Sequence, residues 1–345
     1  MGRLYSIAVQ PSTTLTPGQT AERTGVTWTS VPNGVFDPNA LLVEFDFFSF
    51  SNASAGTDGA TITIHGVGLQ NISQAQQFVG QNVKVTAGMS GGLPLESPGQ
   101  AGLILNGPIF QSWANWVGTE MDLNLLVLGS QYTPSTPGNF VLDWQPGKTL
   151  QSALTTTLKT AYPAYPKINL VFNLSKPYIL GRPVGHNCGT LSALADIVTS
   201  TTSGEGFSGV TISTPTNNTI IISDNLGVNA VPKQINFNDL IGQPTWVPGT
   251  GNAPTILLTT VMRADIQVGS HILMPQGAGL GGPGSVTISS AAVNPGLLNL
   301  KTAFQGQFTV TAIRQVGNSR DTGPTAWATM FQCTPAQTIA PLSGT

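Results

Sequence analysis

Charge is what this chain has least of. Its 345 residues include 13 Lys and Arg, 15 Asp and Glu and 3 His, so charged side chains make up 8% of the total, against about 25% in ordinary globular domains. A soluble monomer keeps itself dispersed with a charged surface, and this composition cannot build one. Much of the surface is therefore expected to be covered by other subunits, in a homo-oligomer. The formal net charge of -2, without a basic run, provides no electrostatic footprint for phosphate backbones, so specific nucleic-acid binding is not expected. Cysteine is equally scarce: Cys188 and Cys333 lie far apart and read as two small buried thiols of a reducing cytoplasm, not as a disulfide framework. The opening "MGRLYSIAVQPSTTL" lacks an apolar stretch of signal-peptide length, so export by the general secretory route is not expected. The densest apolar run, Leu123 to Gly129, is far short of the ~20 residues of a membrane helix, and membrane insertion is not expected.

The missing charge is replaced by Gly, Pro, Ser, Thr, Asn and Gln, with 40 glycines and 25 prolines. That favours strands and turns. Apolar residues at 40% with almost no net charge exclude a disordered chain. In the first third, "LVEFDFFSF" alternates with period two: Val43, Phe45 and Phe47 share one face, Glu44 and Asp46 the other. "TITIHGV" repeats the pattern with Ile62 and Ile64 inward and Thr61, Thr63 and His65 outward, and "VKVTA", "LILNGPIF" and "LNLLVLG" follow at turn-separated intervals. Short strands at this spacing predict a sandwich or barrel, and "NISQAQQFVG" between them predicts a helical turn or two.

The loop "SQYTPSTPGN" marks a boundary near residue 131. Beyond it, Leu150, Ala153, Leu154, Leu158 and Ala161 form one helical stripe, opened by Pro146 and stopped by Pro163. A second stripe, Leu191, Leu194, Ala195 and Val198, has Thr190 as its cap. Strand candidates "KINLVFNL", "GVTIS" and "TIIIS" accompany them, so the middle reads as a small α+β domain. From about Gln234 strands return, in "ILLTTVM", "DIQVGSHILMP", "GSVTISSA", "GQFTVTAI" and "AWATMF". The fold class is thus mainly β with an α+β middle, and the domains are 1–130, 131–235 and 236–345.

Near the end, "RQVGNSRDTGPTAWATMF" concentrates charge. Phe308, Val310, Ala312 and Arg314 are expected on one side of a strand, and Trp327, Thr329 and Phe331 on one side of the next. Gly317 to Pro324 supply turn residues between them. Arg314, Arg320 and Asp321 then decorate a hairpin end, as a turn or subunit contact rather than a small-molecule site. Trp113 reads as core. Trp116 is open between core and a partner contact, since large rigid rings concentrate interface energy.

Catalytic signals fail on context. Gly88-Met89-Ser90-Gly91-Gly92 fits G-x-S-x-G, but two prolines follow where the elbow needs a helix. Gly277, Gly279 and Gly282 fit G-x-G-x-x-G without a helix N-terminus to meet a phosphate. His65, His186 and His271 have no metal-ligand spacing. His186 beside Cys188 in "GRPVGHNCG" reads as a Gly-rich turn, and Glu205 as a solvated loop acid. No catalytic, cofactor-binding or metal residue is expected.

In order and pattern, two stretches resemble the baseplate hub proteins of contractile-tailed bacteriophages. One is "VEFDFFSFSNASAGTDGATITIHGVGLQNISQAQQFVGQNVKVTAGM", followed by "GLILNGPIFQSWANWVGTEMDLNLLVL", with Ala87-Gly88 and Ile109-Phe110 at the family's positions. Gln111-Ser112 stand where the family often has Gly. The other contains Ile313, Arg314, Gly317, Asn318, Arg320, Trp327 and Thr329 and is similar to the family's closing barrel. The resemblance implies two tail-tube-like β-barrel domains flanking the α+β middle and a trimeric ring in the virion's tail baseplate, assembled in the host bacterial cytoplasm. Its partners would be tail tube and spike proteins and surrounding baseplate proteins, with DNA passing through the lumen without specific binding. The rival expectations are a receptor- or carbohydrate-binding virion protein at the baseplate periphery, showing an aromatic patch, and an enzyme, requiring histidines or acids to meet in one pocket.

Overall fold

The computed structural model describes residues 2–10, 25–89, 98–130, 137–162, 168–204, 207–215, 219–226, 231–248, 254–275 and 306–336. The first third holds strands β1 (Arg3–Gln10), β2 (Val26–Thr29), β3 (Val43–Phe50) and β4 (Gly59–His65), a short helix α1 (Leu69–Ser73), then β5 (Asn82–Met89), β6 (Gly102–Val117) and β7 (Glu120–Leu128). The middle runs through β8 (Pro137–Trp144), α2 (Leu150–Ala161), β9 (Asn169–Asn173), β10 (Val184–Thr190), α3 (Leu191–Thr202), β11 (Thr211–Ser213) and β12 (Thr219–Ser223). The last part comprises β13 (Lys233–Gln234), β14 (Thr245–Pro248), β15 (Pro254–Val261), β16 (His271–Leu273), β17 (Gln307–Asn318) and β18 (Trp327–Pro335).

The period-two alternation becomes packing. Val43, Phe45, Phe47, Ile62 and Ile64 are buried, together with Leu123, Leu125 and Val127 of β7 and Tyr5 and Ile7 of β1, while Glu44 and Thr61 face out. Each such fully buried aliphatic side chain contributes roughly 1.5–3 kcal/mol of transfer free energy. One 13-stranded sheet, in the order β14-β15-β18-β17-β3-β4-β7-β6-β5-β1-β2 with β13 and β16 off this path, spans both ends of the chain. β6 changes partner midway. Its first half pairs with β5, and from Ile109 onward it pairs with β7, with a bulge between Ile109 and Gln111 where the strand bends.

On the other side of β3 lies β17, antiparallel from Ala312↔Phe50 to Asn318↔Glu44, which makes the two ends one sheet. In one row Phe45, Gly317 and Trp327 stand side by side. Glycine is required there because a Cβ at Gly317 would collide with the Phe45 ring. Across it, Phe45 and Trp327 meet edge to face at 5.2 Å, and the Trp327 indole N–H donates to the Gly88 carbonyl at 2.8 Å. Trp327 thereby belongs to the core of the first third.

The middle residues have their own core, formed by Phe140, Leu142, Trp144 and the buried stripes of α2 and α3, and closed by Ile212, Ile220 and Ile222. Thr149 caps α2 by accepting from the Ser152 N–H, and Thr190 caps α3 by accepting from the Ala193 N–H. Ala53, from the loop after β3, is buried in this core, with its N–H on the Ile212 carbonyl at 2.6 Å. Cys188 and Cys333 are free and buried.

Three local expectations are corrected. The α2 helix begins at Leu150, capped by Thr149, and not at Pro146, which lies in the preceding turn. "GRPVGHNCG" is not a turn from Val184 onward: residues 184–190 form β10, held by antiparallel pairing to β8. In β17 the register shifts between Val310 and Ala312. Phe308 and Val310 face the core, the inward side passes to Ile313 and Gln315, and Arg314 points outward. One extra residue flips every later side chain. Ser90 to Gly92, Gly277, Gly279, Gly282, Pro163, Glu205 and the "GSVTISSA" strand lie outside the described residues.

Candidate assembly surface

The pairing of β6, β7, β4, β3 and β17 sets their outward side chains in cross-strand rows. Trp113, Asn124, Thr63, Glu44 and Asn318 form one row, and Gln111, Leu126, Thr61, Asp46 and Val316 the next. Arg314 and Phe48 pair beside them. The result is an open sheet face carrying Glu44, Asp46 and Asp122 against Arg314.

Arg314 makes a bidentate fork with Asp46, Nε–Oδ1 at 2.9 Å and Nη2–Oδ2 at 2.7 Å, and stacks over Phe48 with its guanidinium carbon 5.1 Å from the ring. The hydrogen bonds to Asp46 push the Arg314 pKa further up. At the far end of the rows, His65 Nδ1 lies 2.8 Å from Asp122 Oδ1 and its Nε2 lies 4.0 Å from Glu44 Oε1. Asn318 Nδ2 donates to Glu44 at 2.7 Å, and the Thr63 hydroxyl donates to Asn124 at 2.9 Å. The His65–Asp122 pair, directly opposite each other on β4 and β7, forms a cross-strand tie. No group of three or more potential metal ligands comes together among the described residues.

Arg320 and Asp321 sit together at the β17–β18 turn, and Arg314 stands apart, within β17. Asn318 Oδ1 accepts the N–H groups of Arg320 and Asp321, at 3.0 and 2.8 Å. The Arg320 guanidinium reaches the Ala40 carbonyl at 2.8 Å, and Asp321 accepts the Gly323 N–H at 2.9 Å. The hairpin end is therefore pinned to the loop before β3. Asp46 as the partner of Arg314 escaped the sequence reading because the two are 268 positions apart. Trp113, expected in the core, is 37% exposed, and Trp116 is 62% exposed at the β6–β7 tip. His186 is exposed on β10, and His271 is buried on the Thr309 hydroxyl at 3.2 Å with its pKa lowered by burial. Among the described residues no helix is long and apolar enough to cross a membrane.

No family model matches the chain, and no curated protein does. Solved structures do. A tail protein from Neisseria meningitidis MC58 is similar with a TM-score of 0.54 at 9% identity, covering 97% of each chain. A chain of the lidless PdpA–VgrG complex is similar with a TM-score of 0.52 at 7% identity, over 100% of this chain and 67% of that one. The lidded Francisella PdpA–VgrG complex is similar with a TM-score of 0.51 at 6% identity, over 99% of this chain and 54% of that one. At such identities the likeness is one of fold: this chain shares, over almost its whole length, the architecture of a tail protein and of a chain in PdpA–VgrG complexes.

Proposed function

We propose that the chain is a structural component of a tail baseplate, a hub ring that joins the tail tube to the central spike and surrounds a channel for DNA. The observation that carries this reading is the end-to-end likeness to a tail protein, covering 97% of both chains. The likeness to a chain of PdpA–VgrG complexes supports association with a spike. Residues 1–130 and 236–345 act as two tube-like barrel units around the α+β unit of residues 131–235, and a trimer of such chains presents six barrel units to the tube. Closed symmetric interfaces are the expected home for a surface with so little charge.

The open face, where Arg314 is paired with Asp46 and Glu44 and Asp122 remain as acids, suits the wall of a DNA channel, because fixed negative charge repels the phosphate backbone instead of holding it. In this reading Arg320 and Asp321, at the pinned hairpin end, contact a neighbouring subunit. Native mass measurement of the purified protein, followed by imaging of the particle down its axis, tests the reading. It expects three times the mass of one chain, a central opening, and Glu44 and Asp122 facing that opening. A stable monomer at all concentrations, or a bore lined with Lys and Arg, overturns it.

A further inference from the structure

The β6–β7 hairpin presents a feature that a channel wall does not need. From Gly102 to Val117 strand β6 carries no charged residue, and its outer part exposes Phe110 to 61%, Trp116 to 62% and Val117 to 74%. Cross-strand pairing puts Trp113 on the open sheet face, and Trp116, one residue out of phase, on the opposite side. Val117↔Glu120 is the last pair, so Gly118 and Thr119 form a two-residue turn, with Gly118 at φ 63°. In such a hairpin the closing pair is hydrogen-bonded and the backbone groups of the next residue, and of every second one after it, point away from the partner strand. Those residues are Trp116 and Ala114, and among the described residues this part of β6 pairs with β7 alone, its pairing with β5 ending at Pro108. Edge strands are ordinarily blunted by charge, proline or shortness. β6 has Pro108 and a bulge only at the start of its free stretch, and from Gln111 to Val117 it carries neither charge nor proline.

The same molecule holds a matching hollow in its middle residues. A cleft of about 320 Å³ is lined by Trp144, Tyr178, Ile179, Leu180 and Phe207, with Lys176 at its wall. Tyr178 and Phe207 stack with centroids 6.1 Å apart, and Lys176 Nζ lies 5.3 Å from the Tyr178 ring. An aromatic knob beside the exposed acid Glu120 therefore faces, in kind, an aromatic hollow beside an exposed base. A knob and a hollow on different surfaces of one chain cannot make an isologous pair. They make a head-to-tail contact, which closes into a ring when the rotation allows.

We propose that the β6–β7 hairpin tip of one subunit docks into the aromatic cleft of a second copy of this chain, with Trp116 in the hollow and Glu120 beside Lys176. This rests on the ring reading and names the contact that builds the ring.

Charge reversal tests it without touching either core. Glu120→Lys and Lys176→Glu are each expected to weaken self-association at least about tenfold by sedimentation equilibrium, the two together to restore it, and Trp116→Ala to weaken it by a similar factor. Far-ultraviolet circular dichroism and the melting temperature of every variant should match the parent's monomer, since all three residues are at the surface. Unchanged association in all three single variants overturns the contact while leaving a ring intact, and so does a double variant no better than the singles. A parent chain that is monomeric throughout overturns the contact and the ring reading together.

Discussion

The carboxyl of Asp58 lies in the loop between β3 and β4. Its Oδ1 accepts the Phe50 N–H at 2.7 Å, and its Oδ2 is buried with no partner among the described residues. Burial raises its pKa from 3.8 to about 8, and hydrogen bonds from Phe50 and Ser49 offset only part of the rise. The folded chain therefore keeps a proton that the unfolded chain releases. Because the unfolded state binds fewer protons, stability falls as pH climbs from 3.8 toward about 8. Asp58→Asn keeps an oxygen for the Phe50 N–H and removes the ionisation. Its melting temperature should be flatter than the parent's across that window and higher at its alkaline end, as scanning calorimetry in a pH series would read. A parent and variant with parallel pH profiles would show that Asp58 ionises freely in the fold. The loop also carries Ala53 and Asn52 onto the middle core, Asn52 Nδ2 lying 3.3 Å from Thr199 Oγ1. Loss of the proton is expected to loosen the joint between that core and the main sheet.

At the scale of elements, the row Phe45, Gly317, Trp327 shows why one glycine matters among 40. The Phe45 ring occupies the space above the Gly317 Cα and is held against Trp327, itself fixed by its bond to Gly88. Gly317→Val forces that contact apart, and overpacking of this kind costs about 1–3 kcal/mol. Urea denaturation should show a lower midpoint at constant slope. An unchanged midpoint would mean that the rings move aside freely. Elements of this sort were legible in the sequence where the cause is local: the alternation of β3 and β4, the stripes of α2 and α3 and the Thr190 cap all follow from neighbours within a few residues. What could not be read depends on distant pairing. The bulge at Thr311 arises because β17 satisfies β18 and β3 at once, so Arg314 turned to the face opposite to the one its spacing suggests. β10 took strand form from β8 despite its glycines. Trp113 stayed exposed because the bulge between Ile109 and Gln111 passes the inward side to Ser112 and turns Trp113 to the open face.

At the scale of the molecule, the two ends of the chain are tied three times over. The β3–β17 ladder joins them through the backbone, and Trp327 inserts into the first core. A buried cluster adds the third tie. Arg263 bonds Asp239 at 3.1 Å and Asp265 at 2.7 Å, Gln100 Nε2 donates to Asp239 at 3.1 Å, and Gln315 Nε2 donates to the Arg263 carbonyl at 2.7 Å. Breaking one partner out of such a buried set leaves the other charges unpaired, which is strongly destabilising. Opening either end therefore exposes the other, whereas the middle residues keep a separate core that the loop of Asn52 and Ala53 joins to the sheet. Native-state hydrogen exchange over a denaturant series should show amides of β5 and of β18 opening with one shared free energy, and those of α2 and β12 with a separate, lower one. Trp327→Ala, at a cost of about 3–5 kcal/mol, should lower protection in β1 and β5 as much as in β18. Selective loss in β18, with β5 untouched, would mean that the ends are stable independently and that the shared sheet is only a contact between them. Equal loss would make the sheet one mechanical body, as the proposed ring would require under axial load: force entering at one end of the chain would leave at the other through hydrogen bonds that fail together or not at all.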